Sequence, residues 1–255
     1  MRILVTNDDG IHAPGLAIAE KIARTLSDDV WVVAPENEQS GASHSLTLSL
    51  PLRLRQAGEK RFAVTGTPTD CVMIAAAEVL KDKKPDLLLS GVNRGSNLAD
   101  DVTYSGTIAG AMEGTALGIP AIALSQTYGF EEGYHVRWAC AETHGPKVVG
   151  KLVELGWPQD VLMNVNFPDC EPHEVTGIEA TLQGKRDMQT AAMERRIDLR
   201  NNPYYWIGFR RVRSHPVKGS DLSAIHEKRI SITPLHLNLT EYKVLERLKR
   251  QFDGD

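Results

Sequence analysis

Several things are scarce or missing in this 255-residue chain, and each absence removes a class of protein. Cysteine is scarce. Cys71, Cys140 and Cys170 are far apart and form no Cys-x-x-Cys pair, so neither a zinc ribbon nor a disulfide framework is indicated. Buried thiols in a reducing cytosol are the expectation. No apolar run approaches the ~18 residues of a membrane span. The run near the N-terminus, Ile3-Leu4-Val5, is too short for a signal-peptide core. A soluble, cytoplasmic protein without a membrane partner is therefore expected. Basic residues do not outnumber acidic ones: 29 against 33 gives a net charge of −4. That argues against a protein whose main task is to neutralise a nucleic-acid polymer.

Familiar catalytic signatures are missing as well. Gly10 to Gly15 is not followed by Lys-Ser/Thr, so there is no P-loop, and no Gly-x-Gly-x-x-Gly follows the first apolar run. There is no Gly-x-Ser-x-Gly nucleophile elbow and no His-Glu-x-x-His. No repeat, low-complexity tract or linker interrupts the chain. A composition of 42% hydrophobic and 24% charged residues excludes a disordered, collagenous or coiled-coil protein. At this length roughly three-quarters of the extended surface can be buried, so neither metal nor disulfide is needed merely to fold.

What is present is a β-α-β-α rhythm. Ile3 to Thr6, Val30 to Ala34, Leu87 to Ser90, Ala121 to Ser125 and Val161 to Phe167 read as strands without polar alternation, which suits a sheet covered on both faces. Between them, Gly15 to Leu26 carries Leu16, Ala19, Ile22 and Ala23 on one helical face. Thr67-Pro68 opens a helix through about Leu80, and Ser105 caps one through about Leu117. Pro146 kinks or starts the helix that ends near Leu155. The pattern predicts a three-layer α/β/α, doubly wound, mainly parallel sheet of the Rossmann-like kind. The alternating stretch from Leu46 to Gly66 predicts an inserted antiparallel ribbon.

After about Pro168 the composition shifts. Tyr204-Tyr205-Trp206 and Arg229 to Leu235 are strand-like, and Thr240 to Phe252 is helical with Tyr242, Leu245, Leu248 and Phe252 on one face. One domain over residues 1–255 is expected, with a core to about residue 168 and a hairpin-and-helix extension over about 169–255. Apolar residues such as Trp206 and Ile207 need a covering surface, supplied by the chain's own core or by a second subunit.

Four loops carry candidate chemistry. Asn7-Asp8-Asp9-Gly10 ends the first strand, and ligands of open α/β sheets bind at the carboxyl ends of strands. Neighbouring residues on a strand point to opposite faces, so Asp8 and Asp9 converge only if the chain leaves strand geometry. Two converging carboxylates repel unless a cation lies between them or one is protonated. Such an oxygen site suits Mg²⁺ or Mn²⁺; the alternative is an Asx turn with solvated aspartates. The second loop holds Ser40-Gly41-Ala42-Ser43, and the third is Ser90-Gly91-Val92-Asn93-Arg94-Gly95-Ser96-Asn97. The fourth, Tyr104-Ser105-Gly106-Thr107, opens a helix whose free N–H groups and dipole favour an anion; a plain Ser cap is the alternative. His12 and His44 flank this edge as proton shuttles or as ordinary solvated histidines.

Taken together in order and spacing, these four segments resemble the SurE nucleotidase family, and Ser231-Ile232-Thr233-Pro234-Leu235 is similar to that family's C-terminal pattern. Glu227-Lys228-Arg229 departs from it where a glycine-containing turn is expected. The resemblance implies a 5′-nucleotidase: a metal-dependent phosphatase of nucleoside monophosphates acting through a metal-activated water, with other phosphate esters or polyphosphate as further substrates. It assigns Asp8, Asp9, Ser40 and Asn93 to one divalent cation per subunit, Mg²⁺ or Mn²⁺. Gly41, Asn97, Ser105, Gly106 and Thr107 would hold the phosphate. Either Asp8 or Asp9 would orient the water or take its proton. The resemblance also implies a homodimer exchanging C-terminal elements, or a tetramer. A receiver-like or nucleotide-sensing module without turnover is the other reading of an acidic pair after a first strand. Asn93, where a receiver needs its acceptor aspartate, counts against the receiver form.

Overall fold

The computed structural model describes residues 1–129, 135–186, 189–211 and 216–252. Its strands are β1 (Arg2–Thr6), β2 (Asp29–Pro35), β3 (Leu54–Gly58), β4 (Arg61–Val64), β5 (Leu87–Arg94), β6 (Ala121–Gln126), β7 (Val161–Phe167), β8 (Gly177–Ala180), β9 (Gln189–Ile197), β10 (Pro203–Arg211) and β11 (Arg229–His236). The α-helices are α1 (Pro14–Arg24), α2 (Pro68–Ile74), α3 (Gly106–Ala116), α4 (Ala139–Leu155), α5 (Asp221–His226) and α6 (Tyr242–Phe252).

One sheet runs β3-β4-β2-β1-β5-β6-β7-β11-β8, and β9 pairs with β10 in a separate two-stranded sheet. The central pairs β2–β1, β1–β5, β5–β6 and β6–β7 are all parallel. Alternate strand residues serve opposite layers, as the two-residue period requires. Ile3, Val5, Leu87 and Leu89 pack with Leu16, Ile22 and Val148 of α1 and α4. Leu4 and Leu88 pack with Cys71, Val72, Ile108 and Ala111 of α2 and α3. This doubly wound, three-layer arrangement is the one expected. The chain passes from β1 to β2 on one side and later to β5 on the other, so the strand order reverses beside β1. The crevice at the carboxyl ends of β1 and β5 is thereby the switch point where such sheets bind ligands.

The ribbon expected between Leu46 and Gly66 is present only over residues 54–64; residues 46–53, whose alternation suggested its first arm, form no strand. β3 lies antiparallel to β4, and β4 joins β2 in parallel. Other expectations are revised. Helix α4 begins at Ala139, so Pro146 lies inside it and does not start it. Strand β5 continues to Arg94 through a shift in its register against β6 between Ser90 and Asn93. Strand β11 does not belong to a hairpin extension. It pairs antiparallel with β7 and parallel with β8, so the main sheet continues well past residue 168. What stands off the sheet is the β9–β10 hairpin and the largely exposed α6, none of whose residues is buried. Among the described residues no helix is long and apolar enough to cross a membrane.

Lys228 sits at φ +56°, the left-handed conformation that glycine favours. The left-handed turn is thus kept, with a lysine in place of the glycine. Lys228 Nζ also meets Glu174 Oε1 at 2.6 Å.

Candidate active site

The chain leaves strand geometry at Asn7, and the loop is fixed from two directions. Asn7 Nδ2 donates to the Gly10 carbonyl at 3.0 Å. Gly10 takes φ +102° against the backbone of Asn37 and Glu38. The Gln39 N–H donates to the Asp8 carbonyl at 2.7 Å, which seats the Ser40–Ser43 loop beside the acidic pair. The third loop is set by Gly91, at φ +134°. A side chain there would fall 2.2 Å from the Leu124 carbonyl, so only glycine carries β5 through its register shift to Asn93.

Asp8, Ser40, Gly41, Asn93, Asn97 and Ser105 line one cavity of about 290 Å³. Asp9 lines an adjoining cavity of about 500 Å³, and Arg94 borders both. Asp9 Oδ2 accepts the Arg94 N–H at 3.0 Å. The loops from three strand ends and one helix start therefore do meet.

Asp8 is buried, only 4% exposed. Burial, reinforced by the nearby Asp9, pushes its carboxyl up to about 7, and hydrogen bonds from Thr107 work against this. Asp9 is also raised, chiefly by burial and then by Glu38, with the Arg94 N–H and charge opposing. Two carboxyls disfavoured as anions by burial and by a neighbouring acid, Asp9 beside Asp8 and Glu38 beside Asp9, are what a divalent cation relieves. The other donors suit the same task. Asn93 Nδ2 donates to the Gly95 carbonyl at 3.0 Å, and its amide oxygen takes no part in that bond. Ser40 Oγ donates to Glu38 Oε1 at 2.8 Å and keeps its lone pairs. Among the described residues no group of three or more His, Cys, Asp or Glu gathers for a metal, here or elsewhere, so any cation at this site would also need its hydroxyl and amide oxygens. Two carboxylates, a hydroxyl and an amide oxygen fit a hard cation such as Mg²⁺ or Mn²⁺.

The fourth segment divides its labour. Ser105 is the N-cap of α3: its Oγ accepts the Ile108 N–H at 3.0 Å and retains its own proton. Gly106 lies against Asp8, where an added Cβ would meet Asp8 Cβ at 2.8 Å. Thr107 is fully buried and donates its hydroxyl to Asp8 Oδ1 at 2.5 Å. Its hydroxyl proton is therefore spent on Asp8, and Thr107 is not among the residues that line the cavity. His44 pairs with Glu113 at 3.1 Å, and His12 is solvent-exposed.

Sequence reasoning passed over the support beneath Asn97. Asn97 Nδ2 donates to Ser125 Oγ at 2.8 Å, and its backbone N–H donates to Asn166 Oδ1 at 2.8 Å. Its carbonyl accepts from both Asn164 and Asn166. The signal was Asn164-Val165-Asn166 inside a buried strand, since buried amides must find partners. Tyr104 and Tyr128 on the cavity wall were missed too. Arg94 lies over the Tyr128 ring, 5.8 Å from its centroid.

Fold and site together define a class: a doubly wound α/β protein with an acidic, oxygen-lined ligand crevice at its topological switch point. A family model described as Survival protein SurE matches residues 3–190. The chain is 61% identical over 248 residues to the "5′-nucleotidase SurE" of Parvibaculum lavamentivorans, covering 97% of this chain and 90% of that one. It is 55% identical over 255 residues to the protein of that name from Caulobacter vibrioides, covering 100% and 97%. The crystal structure of SurE protein from Aquifex aeolicus superposes with a TM-score of 0.84 at 39% identity, covering 98% of this chain and 99% of that one. The chain belongs to the SurE family.

Proposed function

We propose that the chain is a metal-dependent 5′-nucleotidase, releasing nucleoside and inorganic phosphate from nucleoside monophosphates. The observation that carries the reading is the buried Asp8, its carboxyl raised, lining one cavity with Ser40 and Asn93 in a chain whose relatives bear the name 5′-nucleotidase. Asp8, Asp9, Ser40 and Asn93 would hold one Mg²⁺ or Mn²⁺. When bound, the cation supplies Lewis-acid polarisation of a phosphoryl oxygen and eases the ionisation of water. Asp8 or Asp9 accepts the proton of the attacking water. The Ser105 hydroxyl, the free N–H groups at the start of α3 and the second amide proton of Asn97 stabilise the charge that develops on the phosphoryl oxygens. Thr107, beneath Asp8, keeps that carboxylate oriented.

The same reading makes the protein a cytoplasmic homo-oligomer, a dimer or a tetramer. Tyr205, Trp206 and Ile207 on the hairpin and Tyr242, Leu248 and Phe252 on α6 are exposed in the single chain and would be covered by a second copy.

The test is phosphate release from a panel of 5′- and 3′-nucleoside monophosphates, 2′-deoxy forms and polyphosphate in Mg²⁺ or Mn²⁺. Turnover of 5′-monophosphates that chelation abolishes is expected. Nucleotide binding without phosphate release would mean a sensing module instead.

A further inference from the structure

The stretch of cavity wall from Asn97 to Ser105 belongs to no strand and to no long helix. Leu98 leads into a 3-10 turn over Ala99–Thr103, and Tyr104 and Ser105 follow before α3 begins. A buried bend of this kind keeps its shape only if its backbone polar groups find partners. Those partners come from β7 and from the chain beyond it. The Asn97 N–H and carbonyl are taken by Asn164 and Asn166. The Ala99 N–H donates to Asp221 Oδ2 at 2.8 Å, and the Ala99 carbonyl accepts from Gln183 Nε2 at 2.9 Å. Ala99 is fully buried and stands at φ +51°, a left-handed conformation that alanine adopts only where its surroundings impose it.

Asp221 opens α5, just before β11, and lies 122 positions from Ala99. Its side chain is fully buried, and both oxygens are used. While Oδ2 takes Ala99, Oδ1 accepts the Gly184 N–H at 2.9 Å and the Leu222 N–H at 2.7 Å. An added Cβ on Gly184 would fall 2.6 Å from Oδ1, so the loop after β8 closes tightly on the carboxylate. Asp221 does not line the cavity itself. We infer that Asp221 is a positioning residue for the phosphate group: it fixes Ala99, and thereby holds Asn97 on one side of the turn and the Ser105 start of α3 on the other. This rests on the phosphatase reading above and adds how a carboxylate near the end of the chain controls it. Asp8, Asp9, Ser40 and Asn93 sit on other loops, so phosphate binding depends on Asp221 and cation binding does not.

The experiment uses the full chain with Asp221→Asn. The amide oxygen can keep the Gly184 and Leu222 N–H groups, which turns the amide NH₂ toward the Ala99 N–H, donor against donor. The variant thus releases Ala99 with almost no change of volume. Titration with inorganic phosphate at saturating Mn²⁺ should show binding weakened by about tenfold or more, and kcat for AMP should fall about 10- to 100-fold, the scale of a misplaced binding group. Mn²⁺ affinity should stay within about twofold, because the cation's ligands share no partner with Asp221. Gln183→Ala, a change at an exposed residue, removes the partner of the Ala99 carbonyl. It should weaken phosphate binding by about three- to fivefold, the equivalent of one hydrogen bond, and it carries the test if the asparagine variant does not fold. A folded Asp221→Asn that melts lower yet binds phosphate and turns over AMP like the wild type overturns the inference, since Asp221 would then be a structural brace alone. A parallel loss of Mn²⁺ and phosphate binding overturns it too, because the whole site would have moved. A wild-type chain that binds phosphate without hydrolysing AMP overturns the phosphatase reading instead, and the phosphate titration still decides on Asp221.

Discussion

Replacing Thr107 by valine keeps the shape of a fully buried side chain and removes one donor. The donor is spent on Asp8 Oδ1 at 2.5 Å, inside the protein and on an ionisable acceptor. Hydrogen bonds to charged groups contribute about 1.5–3 kcal/mol, against about 1 kcal/mol for neutral ones. The cost therefore depends on whether Asp8 is ionised. Burial carries its carboxyl from 3.8 to about 7, which is about 4 kcal/mol against the charged form. Because the folded state holds the proton more tightly than the unfolded one, this penalty is absent below about pH 4. It grows as pH rises through 7, so the metal-free protein loses stability over that window. Thr107→Val should cost about 1 kcal/mol at pH 5, where folded Asp8 is mostly protonated, and about 1.5–3 kcal/mol at pH 8. Urea unfolding of wild type and variant in chelator at both values measures the difference. Turnover at saturating metal should fall about 10- to 100-fold, since Asp8 loses the group that orients it. Equal destabilisation at both pH values with unchanged turnover would refute the reasoning and leave Thr107 as packing only.

Three other outcomes are expected. Ser105→Ala should lose about 1 kcal/mol as a helix cap, and about 10- to 1000-fold in kcat if its retained proton reaches the phosphoryl group; paired melting and steady-state assays separate the two roles. Lys228→Gly should stabilise the fold by about 0.5–1 kcal/mol, because glycine accepts the left-handed backbone at φ +56° more readily and the ion pair it removes is exposed; a lower melting temperature would contradict this. Light scattering across a wide concentration range should show a stable symmetric oligomer, and Trp206→Glu should shift it toward smaller species. A species of 28.1 kDa at every concentration would contradict the assembly.

The central sheet was legible because its strands are buried on both faces and so read as unbroken apolar runs between helical patterns. Asp8, Ser40, Asn93 and Ser105 were legible for a related reason: each lies just past a strand or just before a helix, and topology alone brings such positions to one edge. Thr107 was placed on that edge, but no pattern could say that its hydroxyl turns inward to Asp8. Strands β8 and β9 were not foreseen. Glu179 interrupts a four-residue strand, and Glu194-Arg195-Arg196 hides a hairpin strand that no core covers. Strand β11 was recognised as a strand but set in the wrong neighbourhood, because its pairing with β7 joins residues about 70 positions apart. The helix start at Ala139 was hidden by Pro146, which a local reading takes as a boundary and which α4 accommodates in its interior.

The most direct measurement is calorimetric titration of the chelated protein with Mn²⁺, comparing wild type with Asp9→Asn, alongside phosphate release from AMP. Asn keeps the volume of Asp and removes one charge, so the fold should persist while the site loses much of its hold on a divalent cation. The expected result is one site per chain in the wild type, at least about tenfold weaker binding in the variant, and phosphate release that falls with it. Undiminished Mn²⁺ binding and turnover in Asp9→Asn would contradict the account.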